Sequence, residues 1–296
     1  MRESKEDEVT NPVQLIAPGI DFRLALAPLG MLAGDPTTRL EPTAMTRATI
    51  TPDGPGAIRA RWQQGFGEVT LTAWGDGASW LLARGSDLVG ANDDATTFTP
   101  TDPIVQRLWA RFRGDRVART GTLWHDIAWT IVQQRVHRRD AAIQWRSFVE
   151  GMGIPVDGVE GLLAPPDPAH VARTHPTEFR RYGIDSHRAQ ALVNVAAVAT
   201  RLQSFVDGSV DDARRPLMSI PGIGPWTVSC LSAFTWGNPD TVIVGDSGIP
   251  SLLSSILTGE RRANDERMLE LLEPYRPHRY RILKLAFAAR TRLLEP

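Results

Sequence analysis

Cysteine is almost absent: Cys230 is the only one in 296 residues. A single thiol excludes an intrachain disulfide, a cysteine-built zinc site and a four-cysteine iron–sulfur cluster. Lysine is nearly as scarce, with Lys5 and Lys284 alone, so the cationic charge is almost all arginine. No apolar run reaches the length that spans a bilayer. The charged start, Arg2-Glu3-Ser4-Lys5-Glu6-Asp7-Glu8, is followed by no secretory apolar core. A cytoplasmic protein without a membrane partner is expected. Net charge is close to nil, −1 at pH 7 with a pI near 6.6, so no overall field points to a polyanion.

What is present is globular. Hydrophobic residues make up 42% and charged residues 23%, values that argue against a mostly disordered chain. A chain of 296 residues accommodates two compact units. The charges lie in clusters. The first eight residues and Asp207 to Asp212 are acid-rich, whereas basic residues gather in three groups. These are Arg107, Arg111, Arg113, Arg116 and Arg119; Arg135, Arg138 and Arg139; and Arg276, Arg279, Arg281 and Lys284. Brought together by the fold they would make a basic face on a neutral protein. The arginine bias equally suits a GC-rich genome.

The texture of the chain changes along its length. Residues 20 to 90 read as β-rich. Ile58-Arg59-Ala60-Arg61-Trp62 alternates, Gln64-Gly65 turns, and Val69-Thr70-Leu71-Thr72-Ala73-Trp74 alternates again. Gly75-Asp76-Gly77 then turns into Trp80-Leu81-Leu82, which continues an antiparallel meander. Gly90 to Pro103 is polar and reads as a linker. Beyond it the apolar period is helical. Trp124, Ile127, Ala128, Ile131 and Val132 mark one amphipathic helix, and a Pro-rich connection follows from Ile154 to Pro168. Leu192, Val195, Ala199 and Leu202 mark another helix, opened by Asp185-Ser186. Met268, Leu271 and Leu272 mark a third, and a last helix runs from about Arg279 to Leu293. The expected class is α+β, mostly α. A flexible N-terminus (1–19) precedes a β-rich antiparallel domain (20–100) and a helical region (101–296).

The most informative segment is Leu217-Met218-Ser219-Ile220-Pro221-Gly222-Ile223-Gly224-Pro225-Trp226-Thr227. It reads as a tight helical hairpin over about 215–235, with Gly222 and Gly224 permitting positive φ and close approach. Pro225 suits the first turn of the second helix. The free N–H groups at that helix start form an anion site that fits a nucleic-acid phosphate.

These residues resemble the helix-hairpin-helix of DNA repair glycosylases. That superfamily also carries a downstream Gly/Pro-rich segment ending in aspartate, matched here by Asn238 to Asp246, with Asp246 lying 22 positions after Gly224. Ile131-Val132-Gln133-Gln134-Arg135-Val136 and Tyr182-Gly183-Ile184-Asp185-Ser186-His187-Arg188-Ala189 resemble two further motifs, so the likeness covers roughly 105–290. With its β-rich N-terminus, the chain resembles the bacterial 3-methyladenine DNA glycosylase II branch, which implies a two-lobed helical region after a small antiparallel β domain.

The resemblance implies roles. Asp246 would be the catalytic carboxylate, stabilising an oxocarbenium-like sugar and orienting water. An aspartate in Gly245-Asp246-Ser247, at the start of a helix, also reads as a cap. Gly222, Ile223, Gly224 and Thr227 would grip the DNA backbone, and Trp226, Cys230 and His278 would line the base pocket. Gln134 and Arg135 would probe the duplex, Arg135 standing where a wedge fills the gap left by a flipped base. A sodium or potassium ion at the carbonyls of Ile220 and Ile223 is implied in the DNA-bound state; no organic cofactor, zinc or iron–sulfur cluster is. Bifunctional relatives carry a Schiff-base lysine at the position of Trp226, so a monofunctional hydrolase is expected.

Several positions depart from the branch. His278 replaces a tryptophan in Tyr275-Arg276-Pro277-His278-Arg279, and if charged it would repel a cationic base. Ser247-Gly248 replaces bulkier residues, and Gln133 replaces a glycine. His125, His137, His170, His175 and His187 show no metal-ligand spacing and read as surface or capping residues. The expected activity is removal of an alkylated purine from duplex DNA by a monomer. The alternatives are an enzyme for an oxidised or deaminated base, or a non-catalytic binder of damaged DNA.

Overall fold

A computed structural model describes residues 11–63 and 67–292. Most of the expected flexible N-terminus (residues 1–10), the Gln64-Gly65 turn and Leu293 lie outside the described residues.

Strands β1 (Val13–Ile16), β2 (Thr38–Leu40), β3 (Ala44–Thr51), β4 (Gly54–Trp62) and β5 (Glu68–Gly75) form an antiparallel sheet in the order β1-β5-β4-β3-β2. The alternation read in β4 and β5 fixes their register: Ile58 faces Ala73, Ala60 faces Leu71 and Trp62 faces Val69. All six pack on one face of the sheet, with residues of α1 (Phe22–Leu26), α2 (Ala78–Ala83) and α3 (Gly85–Leu88). The opposite face is narrow, built on Ala48 and Ala57, and is covered by the small hairpin β6 (Ile154–Pro155) and β7 (Leu163–Ala164).

The rest is helical: α4 (Pro103–Arg111), α5 (Leu123–Val132), α6 (Arg138–Met152), α7 (Pro168–Arg173), α8 (Ser186–Ala196), α9 (Ala199–Gln203), α10 (Val210–Met218), α11 (Pro225–Phe234), α12 (Ile249–Leu257), α13 (Asp265–Leu272) and α14 (Arg279–Arg292). All ten residues of α5 are buried, which makes it the central helix of the main core. Asp185 caps α8 as expected, accepting the N–H groups of His187 and Arg188.

Four expectations change. Trp80-Leu81-Leu82 lies in α2 rather than in a strand, because Ala78 and Leu81, three apart, turn one helical face into the sheet's core. The segment taken as flexible through residue 19 includes strand β1, paired along β5. Leu202 lies on α9, after a break at Ala197–Val198, rather than on the helix of Leu192 and Val195. The Gly90–Pro103 connection is a pinned strap: Asp93 takes both guanidinium nitrogens of the fully buried Arg281 at 2.9 Å, and Phe98 is buried. Three of the four C-terminal basic residues are accordingly spent inside the fold, since Lys284 pairs with buried Asp115 and Arg279 with Asp240, while Arg276 stays half exposed.

A polar seam joins the sheet to α5. Arg47 on β3 donates to Asp126 at 2.7 Å, and Asp126 also accepts from the hydroxyls of Thr120 and Thr235. Thr235 is the C-cap of α11, so one carboxylate ties sheet, central helix and hairpin together. His125, expected on the surface, is fully buried between the hydroxyls of Thr37 and Thr49 and stacks on Trp145. Burial, with Arg47 nearby, pushes its pKa well below 6.5 and keeps it neutral. Its apolar spacing in the sequence was that of a core position, and its hydroxyl partners lie 76 and 88 residues away.

Candidate active site at the helical hairpin

The hairpin forms as the sequence directs, with α10 ending at Met218 and α11 opening on Pro225. Gly222 has φ +95, and a Cβ there would meet that of Ala191 on α8 at 2.5 Å. Its role is close packing of the turn on α8, helped by Asn194 donating to the Pro221 carbonyl at 3.2 Å. Gly224 differs from expectation: its backbone is extended, φ −115, and a Cβ would have nothing within 4 Å. Nothing inside the chain requires a glycine at 224. What it does is leave the outer surface of the turn open at the start of α11.

Ile223 is buried, so its side chain is an anchor, and its N–H bonds to the Ile220 carbonyl at 3.0 Å. That leaves one lone pair of Ile220 for an ion, while the Ile223 carbonyl accepts no hydrogen bond among the described residues. Each of the two carbonyls thus keeps a lone pair that the described residues do not use. Thr227 is turned inward at 1% exposure, and its hydroxyl lies 3.0 Å from the Gln134 amide nitrogen that donates to it. Gln134 donates also to the Gly222 carbonyl at 3.0 Å. Both side chains expected to face DNA are thus used to lock the end of α5 onto the hairpin.

Arg135 follows at the tip. It is exposed, and it has φ 57, the only positive value outside glycine among the described residues. Its side chain makes no ion pair or hydrogen bond among the described residues. A left-handed arginine costs about 1 kcal/mol or more, and such strain gathers at working sites. His137, Arg138 and Arg139 continue this exposed basic edge into α6.

Behind the hairpin, the segment from Asn238 carries Asp246. Asp240 anchors it to α14, accepting from Arg279 at 2.9 and 2.7 Å. The two oxygens of Asp246 do different things. Oδ1 accepts the N–H groups of Gly248 and Ile249 at 2.8 and 2.9 Å, the capping role read from the sequence. Oδ2 accepts the indole N–H of Trp226 at 3.2 Å. Three of four lone pairs are therefore taken within the chain, and one on Oδ2 is left for a reactant. Asp246 and Trp226 are both partly exposed.

Cys230 lies one turn beyond Trp226 and is buried; burial, with the Asp246 charge adding to it, pushes the thiol up, so it is a neutral and unreactive wall. His278 is 4% exposed, and its polar and ring contacts go to Thr97 (Nε2 to Oγ1, 2.8 Å) and to Phe98. Burial, then Arg281, lowers its pKa, so the anticipated charge repulsion does not arise. Asp265, which carries no local motif, accepts the Gly245 N–H at 2.7 Å. Reasoning from sequence missed it, because an aspartate in the first turn of a helix is an ordinary find. Among the described residues no three His, Cys, Asp or Glu side chains group as a metal site, and no helix is long and apolar enough to cross a membrane.

The architecture is similar to that of 3-methyladenine DNA-glycosylase from Archaeoglobus fulgidus, with a TM-score of 0.78, 17% identity, and 95% of this chain and 99% of that one covered. The chain has the helix-hairpin-helix DNA glycosylase fold. No family model matches it. In sequence, this glycosylase-fold chain is similar to DNA-3-methyladenine glycosylase of Bacillus subtilis, 22% identical over 62% of this chain and 64% of that protein. It is 28% identical to DNA-3-methyladenine glycosylase 2 of Escherichia coli over 43% of this chain and 44% of that protein. The matched stretch thus spans less than two thirds of either relative.

Proposed function

We propose that the protein is a monofunctional DNA glycosylase that hydrolyses the bond between deoxyribose and an alkylated purine, acting as a monomer on duplex DNA and leaving an abasic site. The observation that carries this reading is the Asp246 carboxylate, oriented by Trp226 and by the start of α12, with one lone pair of Oδ2 unused. A carboxylate held beside the sugar stabilises positive charge developing at C1′. The C1′–N bond breaks with both electrons leaving on the base, so a base made cationic by alkylation departs neutral. Water adds its oxygen to C1′ and gives up a proton, for which Asp246 or solvent is the acceptor.

Trp226 is partly exposed beside this carboxylate, which supports stacking of an electron-rich face on a flipped cationic base. Position 226 bears no amine, and Lys284 is buried against Asp115, so lyase chemistry through a Schiff base has no nucleophile in either place. The open surface at Gly224 and the unpaired N–H groups of the first turn of α11 suit a backbone phosphate, with a monovalent cation at Ile220 and Ile223 assisting. Arg135 suits the gap left in the duplex. An oxidised or deaminated base is the second reading, favoured by the small, exposed Ser247 and Gly248 beside the carboxylate.

The test is incubation of DNA treated with a methylating agent with the protein and with Asp246→Asn, separating released bases by chromatography. Release of 3-methyladenine or 7-methylguanine by the parent alone is expected. Equal release by Asp246→Asn would remove the catalytic role. Binding without release of alkylated, oxidised or deaminated bases would leave a DNA-binding protein in place of an enzyme.

A further inference from the structure

Asp246 sits in a short loop with little intrinsic stiffness. Gly245 precedes it in the left-handed region, φ +78, and Ser247 and Gly248 follow it, both exposed. Two glycines around one carboxylate cost more ordering entropy than any other residues would. Packing there is sparse: a Cβ on Gly248 would find only Asp246 Oδ1, at 3.7 Å, and one on Gly245 only Trp226 Cβ, at 3.5 Å. The loop must therefore be held by hydrogen bonds.

Besides the Trp226 N–H on Asp246 Oδ2, two sets of bonds hold it. On the side after Asp246, the carboxylate itself binds the N–H groups that open α12. On the side before it, Asp265 Oδ2 accepts the Gly245 N–H at 2.7 Å, across 20 residues. Asp265 is not needed to start its own helix, because Asn264 already caps α13 by accepting the Arg267 N–H at 3.0 Å. A charged acceptor on a backbone N–H is a strong bond, with roughly twice the strength of a neutral one. It also places a second negative charge close to where duplex DNA would lie, an unfavourable choice for any residue without a task there.

From this we infer that Asp265 is a positioning residue: it tethers Gly245 and so fixes the Asp246 carboxylate against Trp226. The inference rests on the catalytic role proposed for Asp246. Reaction geometry is sensitive to displacements of this size, about 1 Å of misplacement costing up to 10²-fold in rate.

The experiment compares single-turnover base release by the parent, Asp265→Ala and Asp265→Asn, with duplex affinity and thermal stability measured on each. Both substitutions remove the charge from the first turn of α13, but only asparagine keeps an acceptor. Asp265→Ala should release base about tenfold more slowly than the parent, and Asp265→Asn within about threefold of it, with affinities unchanged within about twofold. Amide exchange at Gly245, read in the absence of DNA, should quicken at least about tenfold in Asp265→Ala and less in Asp265→Asn. Parental rates in Asp265→Ala, or equal losses in both variants, would overturn the positioning role. If the parent itself releases no base, the catalytic reading of Asp246 fails separately. Unchanged Gly245 exchange would then overturn the tether on its own.

Discussion

The indole N–H of Trp226 reaches Asp246 Oδ2 at 3.2 Å, from the second residue of α11 to the segment that opens α12. One partly exposed side chain thus combines an aromatic ring with a donor to the carboxylate. The two uses are separable, because the donor lies at the ring edge and stacking engages the face.

Trp226→Phe keeps an aromatic face and removes the donor. Base release should fall by about tenfold, roughly the value of one hydrogen bond to a charged group, while binding of DNA holding an abasic site stays near the parent's. Trp226→Ala, losing both, should be slower again. Single-turnover rates on methylated DNA decide this, and a Phe variant as fast as the parent would mean that the bond to Asp246 plays no part.

The two glycines of the hairpin should separate stability from binding. Gly222→Ala forces a Cβ onto Ala191 at 2.5 Å in a left-handed backbone, and should cost about 2–3 kcal/mol of stability by thermal or urea unfolding. Gly224→Ala adds a methyl in open space on an extended backbone, so stability should change by less than about 0.5 kcal/mol. Its effect should appear as weakened duplex binding, read by anisotropy, since the methyl projects where a phosphate would approach.

Much of this was legible in the sequence, and the residues explain why. The alternation of Ile58, Ala60 and Trp62 fixed a sheet face, and Asp185 and Pro225 marked helix starts, because these signals act within a few residues. Trp80-Leu81-Leu82 misled because a three-residue apolar run carries no period, and only packing on the sheet decides it. The capping role of Asp246 was legible from its place before a helix, but its bond to Trp226 was not. Thr227 and Gln134 looked like surface groups because each finds its partner across 93 residues, a distance over which local pattern is silent. Asp265 was invisible for the same reason, and Arg281, Lys284 and Arg279 read as part of a basic face because their partners Asp93, Asp115 and Asp240 are remote in sequence.

His125 makes stability depend on pH in a stated direction. The folded ring stays neutral because burial, then Arg47, holds its pKa well below 6.5, whereas the unfolded chain takes up a proton near 6.5. The unfolded state thus binds more protons below that value, and stability falls as pH drops from 6.5 toward the folded pKa. Buried Asp35, Asp115 and Asp126, whose carboxyls are raised by burial, act in the opposite sense. The comparison that isolates the ring is with His125→Gln: between pH 7 and 5.5 the parent should lose about 1 kcal/mol more than the variant by urea unfolding. Parallel pH profiles would show that the ring does not titrate on unfolding.

Arg135 is the place where stability and function should part company. Its φ of 57 is unfavourable for any residue with a Cβ, and among the described residues no hydrogen bond or ion pair holds the side chain. Arg135→Gly relieves the left-handed strain, against a loss of unfolded-state stiffness, and should raise stability by about 0.5–1 kcal/mol. Arg135→Ala keeps the strain and should leave stability nearly unchanged. Both remove the group that would enter the duplex, so both should slow base release to a similar degree. Unfolding curves and single-turnover rates on the two variants test the pair of statements together. A glycine variant no more stable than the alanine one would mean that the backbone at 135 is not strained, and undiminished release by both would remove Arg135 from the DNA interface.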